Sequence, residues 1–250
     1  MMREETVFGP IRSRRLGASL GINLLPRKGK LCNFDCIYCE CGWNKDGTQD
    51  KVLPTALEVR RALEDKLAEL MLEGRHIDSI TFSGDGESTL HPDFPQIVAD
   101  VILLRDGFFP DAKVSVLTNA TRLDDEKVVA ALKKADNPIL KLDAASSEDV
   151  AHINRPAFPC DAGTVIENMR KFDGNFILQT MFLKGPGFDS TTPERVAAWM
   201  DVVRRLRPRA VQCYSLDRPA PASALEKIPV EQLKQLVRPL VEEGFQVDCY

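Results

Sequence analysis

Along the chain, short apolar runs alternate with longer stretches in which apolar residues recur every three or four positions. The runs "SLGINLL" (19–25), "SITFSG" (79–84), "KVSVLTN" (113–119), "PILKLDA" (138–144), "NFILQTMFL" (175–183) and "AVQCYSL" (210–216) read as strands. "FQVDC" (245–249) adds a short last one. Helix signals lie between them. Thr55 with Glu58 makes a capping box ahead of Leu63, Leu67 and Leu70, and Gly74 closes that segment. Thr164 with Glu167 and Thr191 with Glu194 repeat the box, and Pro193 falls near a helix start, where its missing N–H costs nothing. Alternation of this kind predicts a parallel sheet with right-handed crossovers, hence a barrel or partial barrel. No repeat, low-complexity segment or linker divides it. A single domain over 1–250 is expected, with a core of about 18–218, a short N-terminal extension and a C-terminal helix and strand.

Charge and composition narrow the functional classes. The net charge of −4 offers no general attraction to nucleic acid or an anionic membrane. No apolar run nears the roughly 18 residues a membrane helix needs, and "MMREETVFGP" lacks the basic-then-apolar pattern of a secretory signal. The expected setting is the cytoplasm, with no membrane partner. Seven cysteines are present, and Cys32, Cys36, Cys39 and Cys41 crowd too closely to brace a fold. In a reducing compartment such a cluster reads as metal binding or redox chemistry.

Ligands of parallel α/β folds bind at the carboxyl ends of the strands. The segments "SGDGE", "LTNAT", "KLDAAS" and "YSLDRP" fall there, which points to one shared site. Gly84, Asp85, Gly86 and Glu87 leave backbone bare enough for close approach to a ligand, although such segments are usually turns. Asn119 offers donor and acceptor to a ribose or carboxylate, or serves as a helix cap. Lys141 and Asp143 share a strand face, as a cofactor contact or a structural pair. On the substrate side, Arg12, Arg14 and Arg15 in "IRSRRLG" suit a carboxylate or phosphate. Arg155 stands beside Pro156, and Gln179, Tyr214, Asp217 and Arg218 near the mouth. His91 and His152 read as loop or packing residues, and Cys160, Cys213 and Cys249 as scattered single buried residues.

The cysteine spacing is C-x3-C-x2-C-x-C. A structural zinc needs four ligands, and the one-residue step from Cys39 to Cys41 makes shared tetrahedral binding awkward. An iron–sulfur cube differs, because each thiolate reaches a separate corner. Cys32, Cys36 and Cys39 can take three corners, leaving the fourth iron open to an exogenous chelate and Cys41 a bystander.

The C-x3-C-x2-C part of that spacing, with Tyr38 before Cys39, resembles the signature of the radical S-adenosylmethionine (radical SAM) superfamily. "FGPIRSRRLGASLGINLLP", "CNFDCIYCECG", "SGDGESTLHPDF", "LTNAT", "KLDAASSEDVAHINRP" and "CYSLDRP" together resemble a compact, largely unassigned subfamily distantly related to the wyosine-forming tRNA enzymes. The resemblance implies a partial TIM-type barrel of about six β/α units with the cluster loop after the first strand. It implies a [4Fe–4S] cluster on Cys32, Cys36 and Cys39, with S-adenosylmethionine chelating the fourth iron. Tyr38 would pack by the adenine. Gly84–Glu87 would take the ammonium group in place of the family's Gly-Gly-Glu-Pro, with Asp85 and Ser88 as departures. Asn119, Lys141 and Asp143 would contact ribose or carboxylate.

The implied activity is reductive cleavage of S-adenosylmethionine to a 5′-deoxyadenosyl radical that takes hydrogen from an unidentified substrate. A flavodoxin or ferredoxin would supply the electron. A tRNA-modifying relative of the wyosine enzymes is a second reading. Against it stand the chain's acidity and the lack of a cysteine before Cys32, where those relatives bind a second cluster. A glycyl-radical activase and a non-catalytic iron–sulfur or zinc module complete the set.

Overall fold

The computed structural model of the chain describes residues 5–47 and 50–250. They form two compact units. The first takes described residues up to 32, then 44–118 and 124–138; the second takes 33–43, 119–123 and 139–250.

In the first unit, β1 (Val7–Ser13), β2 (Gly17–Ile22), β3 (Ser79–Phe82) and β4 (Lys113–Thr118) lie side by side in chain order. β2, β3 and β4 are parallel, with Ser19 opposite Ser79 and Ser79 opposite Lys113. β1 corrects the all-parallel expectation. It pairs antiparallel with β2, and its register shifts between Phe8 and Ile11, where Gly9 and Pro10 interrupt the ladder. The helices are α1 (Ala56–Leu72), α2 (Phe94–Phe108) and α3 (Glu126–Leu132).

Helix α1 begins where the box predicts. The Thr55 hydroxyl accepts from Glu58 N at 3.2 Å and Glu58 Oε2 accepts from Thr55 N at 2.7 Å. Val59, Leu63, Leu67 and Leu70 then fill the buried face. Thr55→Ala removes that cap and is expected to cost about 1 kcal/mol. In a chain of this size that is roughly 2–4 °C in a thermal melt.

Polar residues on the buried strand faces are satisfied among themselves. Ser19 Oγ meets Thr81 Oγ1 at 2.7 Å, Thr81 meets Ser79 at 2.9 Å, and Ser79 meets Ser115 at 2.9 Å. Asn137 Nδ2 closes the chain on Ser115 at 3.0 Å. Such a ladder removes the penalty of burying hydroxyls between apolar neighbours.

The second unit carries β5 (Asn137–Lys141, from Ile139 onward), α4 (Ser147–Ile153), α5 (Ala162–Met169) and β6 (Ile177–Met181). β7 (Leu183–Gly185), β8 (Phe188–Asp189), α6 (Pro193–Leu206), β9 (Ala210–Tyr214), β10 (Glu226–Lys227), α7 (Val230–Glu242) and β11 (Val247–Cys249) follow. β5, β6, β9 and β11 are neighbours in that order and parallel, with Ile139 opposite Ile177, Ile177 opposite Ala210 and Val211 opposite Val247. Neither array closes on itself, and β2 through β6 with β9 supply the six strands of the expected α/β architecture.

Three expectations are corrected here. The run 175–183 is one strand only to Met181, and Leu183 opens a separate antiparallel sheet ordered β10-β7-β8. Thr164 does not cap α5. Asp161, three residues earlier, accepts from Thr164 N at 2.7 Å and from its hydroxyl at 2.8 Å, a carboxylate outcompeting a hydroxyl for the open amides. Thr191 does not cap α6 either. Its hydroxyl donates to Asp189 at 2.6 Å, while Thr192 takes the cap position and Pro193 starts the helix as expected.

Candidate active site

In the first unit, the loop after β3 is shaped by Asn23, the residue that follows β2. Asn23 Oδ1 accepts from Leu25 N at 3.1 Å and from Asp85 N at 3.3 Å. A Cβ on Gly84 would stand 2.0 Å from that same oxygen, so Gly84 is the residue type that admits the bond. The chain just before Cys32 is zipped to this loop. Leu31 N donates to Asp85 O at 3.0 Å, and Glu87 N donates to Leu31 O at 2.9 Å. Asn44 Nδ2 donates to Cys32 O at 3.1 Å. Glu87 is buried, and its Oε1 accepts from Thr89 N at 3.1 Å, the Thr89 hydroxyl at 2.6 Å and the Thr118 hydroxyl at 2.8 Å. His91 anchors the loop as expected. Its Nδ1 accepts from Asp93 N at 3.0 Å, which leaves the proton on Nε2 for Pro54 O at 2.8 Å.

Gly86 has φ of 144°, and a Cβ there would lie 1.8 Å from Leu31 O. Gly86→Ala must break the Leu31 bridge or distort the loop. The expected cost is about 2–3 kcal/mol, read as a fall in the midpoint of a urea unfolding curve with unchanged slope.

In the second unit, the segment "INRPA" clamps the cysteine loop. Asp35 N donates to Asn154 O at 2.8 Å, Ile37 N to Ile153 O at 2.9 Å, and Ala157 N to Asn33 O at 2.9 Å. Phe34 and Pro156 form a bridge between them. Asn119 joins the same scaffold. Its Nδ2 donates to Asn33 Oδ1 at 2.7 Å, Asn33 Nδ2 donates to the Thr121 hydroxyl at 2.7 Å, and that hydroxyl donates back to Asn119 Oδ1 at 2.7 Å. Arg155, at φ of 48°, lays its guanidinium over the Trp43 ring at 5.0 Å. Arg218 pairs with Glu40 of the loop at 2.7 Å, and Ala222 N donates to Ile37 O at 3.2 Å.

Asp143 lies at the centre of this unit's polar groups, its side chain fully buried. Oδ2 accepts from the Tyr38 hydroxyl and from Asn154 Nδ2, the latter at 2.7 Å. Oδ1 accepts from Met181 N at 2.9 Å and faces Lys141 Nζ at 3.7 Å. Lys141 reaches the Tyr214 hydroxyl at 2.5 Å and sits 4.6 Å from the Tyr38 ring centre. Cys36 Sγ accepts from Asn154 Nδ2 at 3.3 Å.

These neighbours set the charges. Burial pushes the Cys36 thiol up to about 11, with the Lys141 charge opposing it. Burial, then the Asp143 charge, pushes the Tyr38 phenol well above its ordinary range. Burial works against the Lys141 ammonium, but Asp143, Tyr214 and Cys36 outweigh it and hold its pKa above the usual value. Cys36 therefore carries its proton until a metal displaces it, as buried metal-binding thiols do. A sulfur that already accepts an amide N–H beside an ammonium fits a thiolate ligand of an iron–sulfur group.

The remaining expected residues fall in several places. Gln179 is buried along β6, where its Nε2 donates to Gln212 Oε1 at 3.0 Å. Asp217 pairs with Lys227 at 3.5 Å. Arg12 lies within β1, and Arg14 and Arg15 lie in the turn leading into β2. That turn is at the opposite end of the first unit's strands from Gly84–Glu87, so it is not part of this site. His152 stacks on Phe188 at 5.5 Å and, with Ile37, Trp43, Arg155 and Pro221, lines a cleft of about 560 Å³. Cys213 and Cys249 are not scattered: they sit opposite each other on β9 and β11 with their side chains hydrogen-bonded. Asn23, Asn33 and Asn154 were not among the expected site residues. Each lies beside a motif, immediately after β2, between Cys32 and Phe34, or ahead of Arg155-Pro156.

Residues 28–207 match the model of the Radical SAM superfamily. A UPF0026 protein of Synechocystis sp. is 32% identical over 222 residues, covering 86% of this chain and 77% of the relative. A protein of Brachyspira hyodysenteriae named GTPase Obg is 29% identical over 99% of this chain, which spans only 34% of that relative's length. Streptococcus suis SuiB bound to S-adenosylmethionine superposes with a TM-score of 0.65 at 14% identity, over 89% of this chain and 49% of that one. TYW1 with a lysine-pyruvate adduct superposes at 0.61 and 11% identity, over 91% and 74%. The structural matches show the fold. Members of the matched superfamily use a [4Fe–4S] cluster with S-adenosylmethionine. With the family match spanning most of its length, the chain belongs to the radical SAM superfamily.

Proposed function

We propose that Cys32, Cys36 and Cys39 hold a [4Fe–4S] cluster and that the chain is an enzyme acting by hydrogen abstraction. The observation that carries this reading is the Cys36 sulfur, half-buried in the C-x3-C-x2-C loop, accepting from Asn154 and lying within the field of Lys141. When bound, the cluster and S-adenosylmethionine supply a one-electron cleavage that yields a 5′-deoxyadenosyl radical able to take hydrogen from an organic substrate.

The chain's own residues position and shield. Gly84, Asp85 and Gly86 offer backbone carbonyls to the ammonium group, and buried Glu87 fixes their loop through Thr89 and Thr118. Tyr38 presents its ring to the adenine with its hydroxyl tied to Asp143. Asn119, Lys141 and Asp143 supply the polar contacts for ribose and carboxylate. Arg155, Tyr214 and Arg218 serve the substrate side, with the Trp43–Arg155 cleft receiving part of the substrate or its carrier. A flavodoxin- or ferredoxin-type donor provides the electron. A cysteine cluster used to hold a metal suits a reducing compartment such as the cytoplasm.

Anaerobic reconstitution with iron and sulfide, followed by dithionite and S-adenosylmethionine, tests the reading. The expected result is a cluster that forms 5′-deoxyadenosine. A metal bound by four protein ligands and indifferent to S-adenosylmethionine overturns it.

A further inference from the structure

Asn154 contributes no atom to the cofactor contacts proposed above, yet its side chain is buried against the cysteine loop. Its Nδ2 stands 2.7 Å from Asp143 Oδ2, 3.1 Å from the Tyr38 hydroxyl and 3.3 Å from Cys36 Sγ. A carboxamide has two N–H groups for these three acceptors. Asp143, a close carboxylate, takes one. Tyr38 already donates its own proton to Asp143, so its oxygen competes with the Cys36 sulfur for the second. Once Cys36 is a thiolate, the sulfur carries the larger negative charge and wins that N–H.

We infer that the Asn154 amide sets the reduction potential of the cluster that the proposed function places on Cys36. A thiolate that accepts a hydrogen bond passes less charge to its iron, and that favours the electron-rich reduced state. The inference rests on the cluster assignment. It does not rest on Asn154 holding the loop, because the Asn154 carbonyl does that by accepting from Asp35 N at 2.8 Å. A change of side chain leaves that bond in place. Lys141 acts on the same sulfur only through space, and it too stays in place.

The test compares reconstituted wild-type protein with Asn154→Leu, which keeps the branched shape and loses the N–H. Iron and sulfide are counted, and the midpoint is read by dithionite titration under electron paramagnetic resonance. The expected result is a fully loaded N154L cluster whose midpoint moves to more negative potential. In the wild type, an exchangeable deuteron should couple to the reduced cluster and disappear in the variant. An unchanged midpoint at full loading overturns the inference, as does a wild-type coupling that survives in N154L. Should N154L bind no iron, Asn154→Ser takes its place. It retains a shorter donor and should shift the midpoint in the same direction by less, and no shift again overturns the proposal. A wild-type protein that itself binds no iron–sulfur cluster sinks the cluster assignment instead.

Discussion

Cys36→Ala is expected to lose the iron–sulfur cluster and, with it, all formation of 5′-deoxyadenosine. With Cys36 gone, two thiolates remain for a group that needs three corners held. Removing a mere hydrogen-bonding partner of a metal ligand typically costs about 10–100-fold in affinity. Removing the ligand should exceed roughly 100-fold. The loss is chemical and not structural. The neighbouring backbone bonds, Asp35 N to Asn154 O and Ile37 N to Ile153 O, do not involve the side chain, so circular dichroism of the metal-free variant should match the parent. Cys41→Ala supplies the contrast. The expected cluster uses three thiols, and Cys41 should be dispensable for iron content and for cleavage. The measurement is iron and sulfide per chain, with 5′-deoxyadenosine by chromatography. Full cluster content in C36A, or loss of the cluster in C41A, would reassign the ligands.

How far such a site can be read from sequence depends on whether its signals are local. The capping box at Thr55 works because its two partners are three residues apart and nothing nearby competes. The boxes at Thr164 and Thr191 fail because Asp161 and Asp189 lie within reach and present a charged acceptor. A pattern search does not weigh that competition. β1 carries no clear strand signal for a related reason. Its run contains Gly9, Pro10 and Arg12, which break the apolar alternation, and an edge strand needs only one bonded partner to form. The Cys213–Cys249 pairing is invisible along the chain, because only the parallel register of β9 and β11 brings them together.

The same distinction holds at the site. Lys141 and Asp143 could be paired from two-residue alternation alone, and they form an ion pair at 3.7 Å. That Asp143 also gathers Tyr38 and Asn154 depends on separations of 105 and 11 residues, which no local pattern encodes. The "INRP" segment shows the limit well. Arg155 beside Pro156 is legible along the chain, while the neighbouring Asn154 and the backbone of Ile153 clamp the cysteine loop. An asparagine has no periodicity and no charge to announce it. Its importance comes from two donors meeting a sulfur and a carboxylate across the fold.

Asp143→Ala should therefore be the most destabilising single change in the second unit. The side chain is fully buried, and its removal strands a tyrosine hydroxyl, a carboxamide N–H and the Met181 amide. It also takes from Lys141 its carboxylate partner, leaving the Tyr214 hydroxyl and the faces of Tyr38 and Tyr214 beside the ammonium. Breaking a buried pair from one side costs about 3–5 kcal/mol. For a chain of this size that is roughly 6–20 °C in the melting temperature. Asp143→Asn separates charge from shape. It keeps one carbonyl oxygen, which serves either Met181 N or the Tyr38–Asn154 side but not both, and removes the counter-charge of Lys141, so its melting temperature should fall between the parent and the alanine variant. Calorimetry of the metal-free proteins decides this without recourse to the cofactor. A D143A melt within about 1 °C of the parent would mean that the surrounding donors are satisfied without the carboxylate. The group would then be held in place for a ligand, not for the fold. A large drop means that the carboxylate is already committed to four partners, and any contact it makes to ribose must be shared with them.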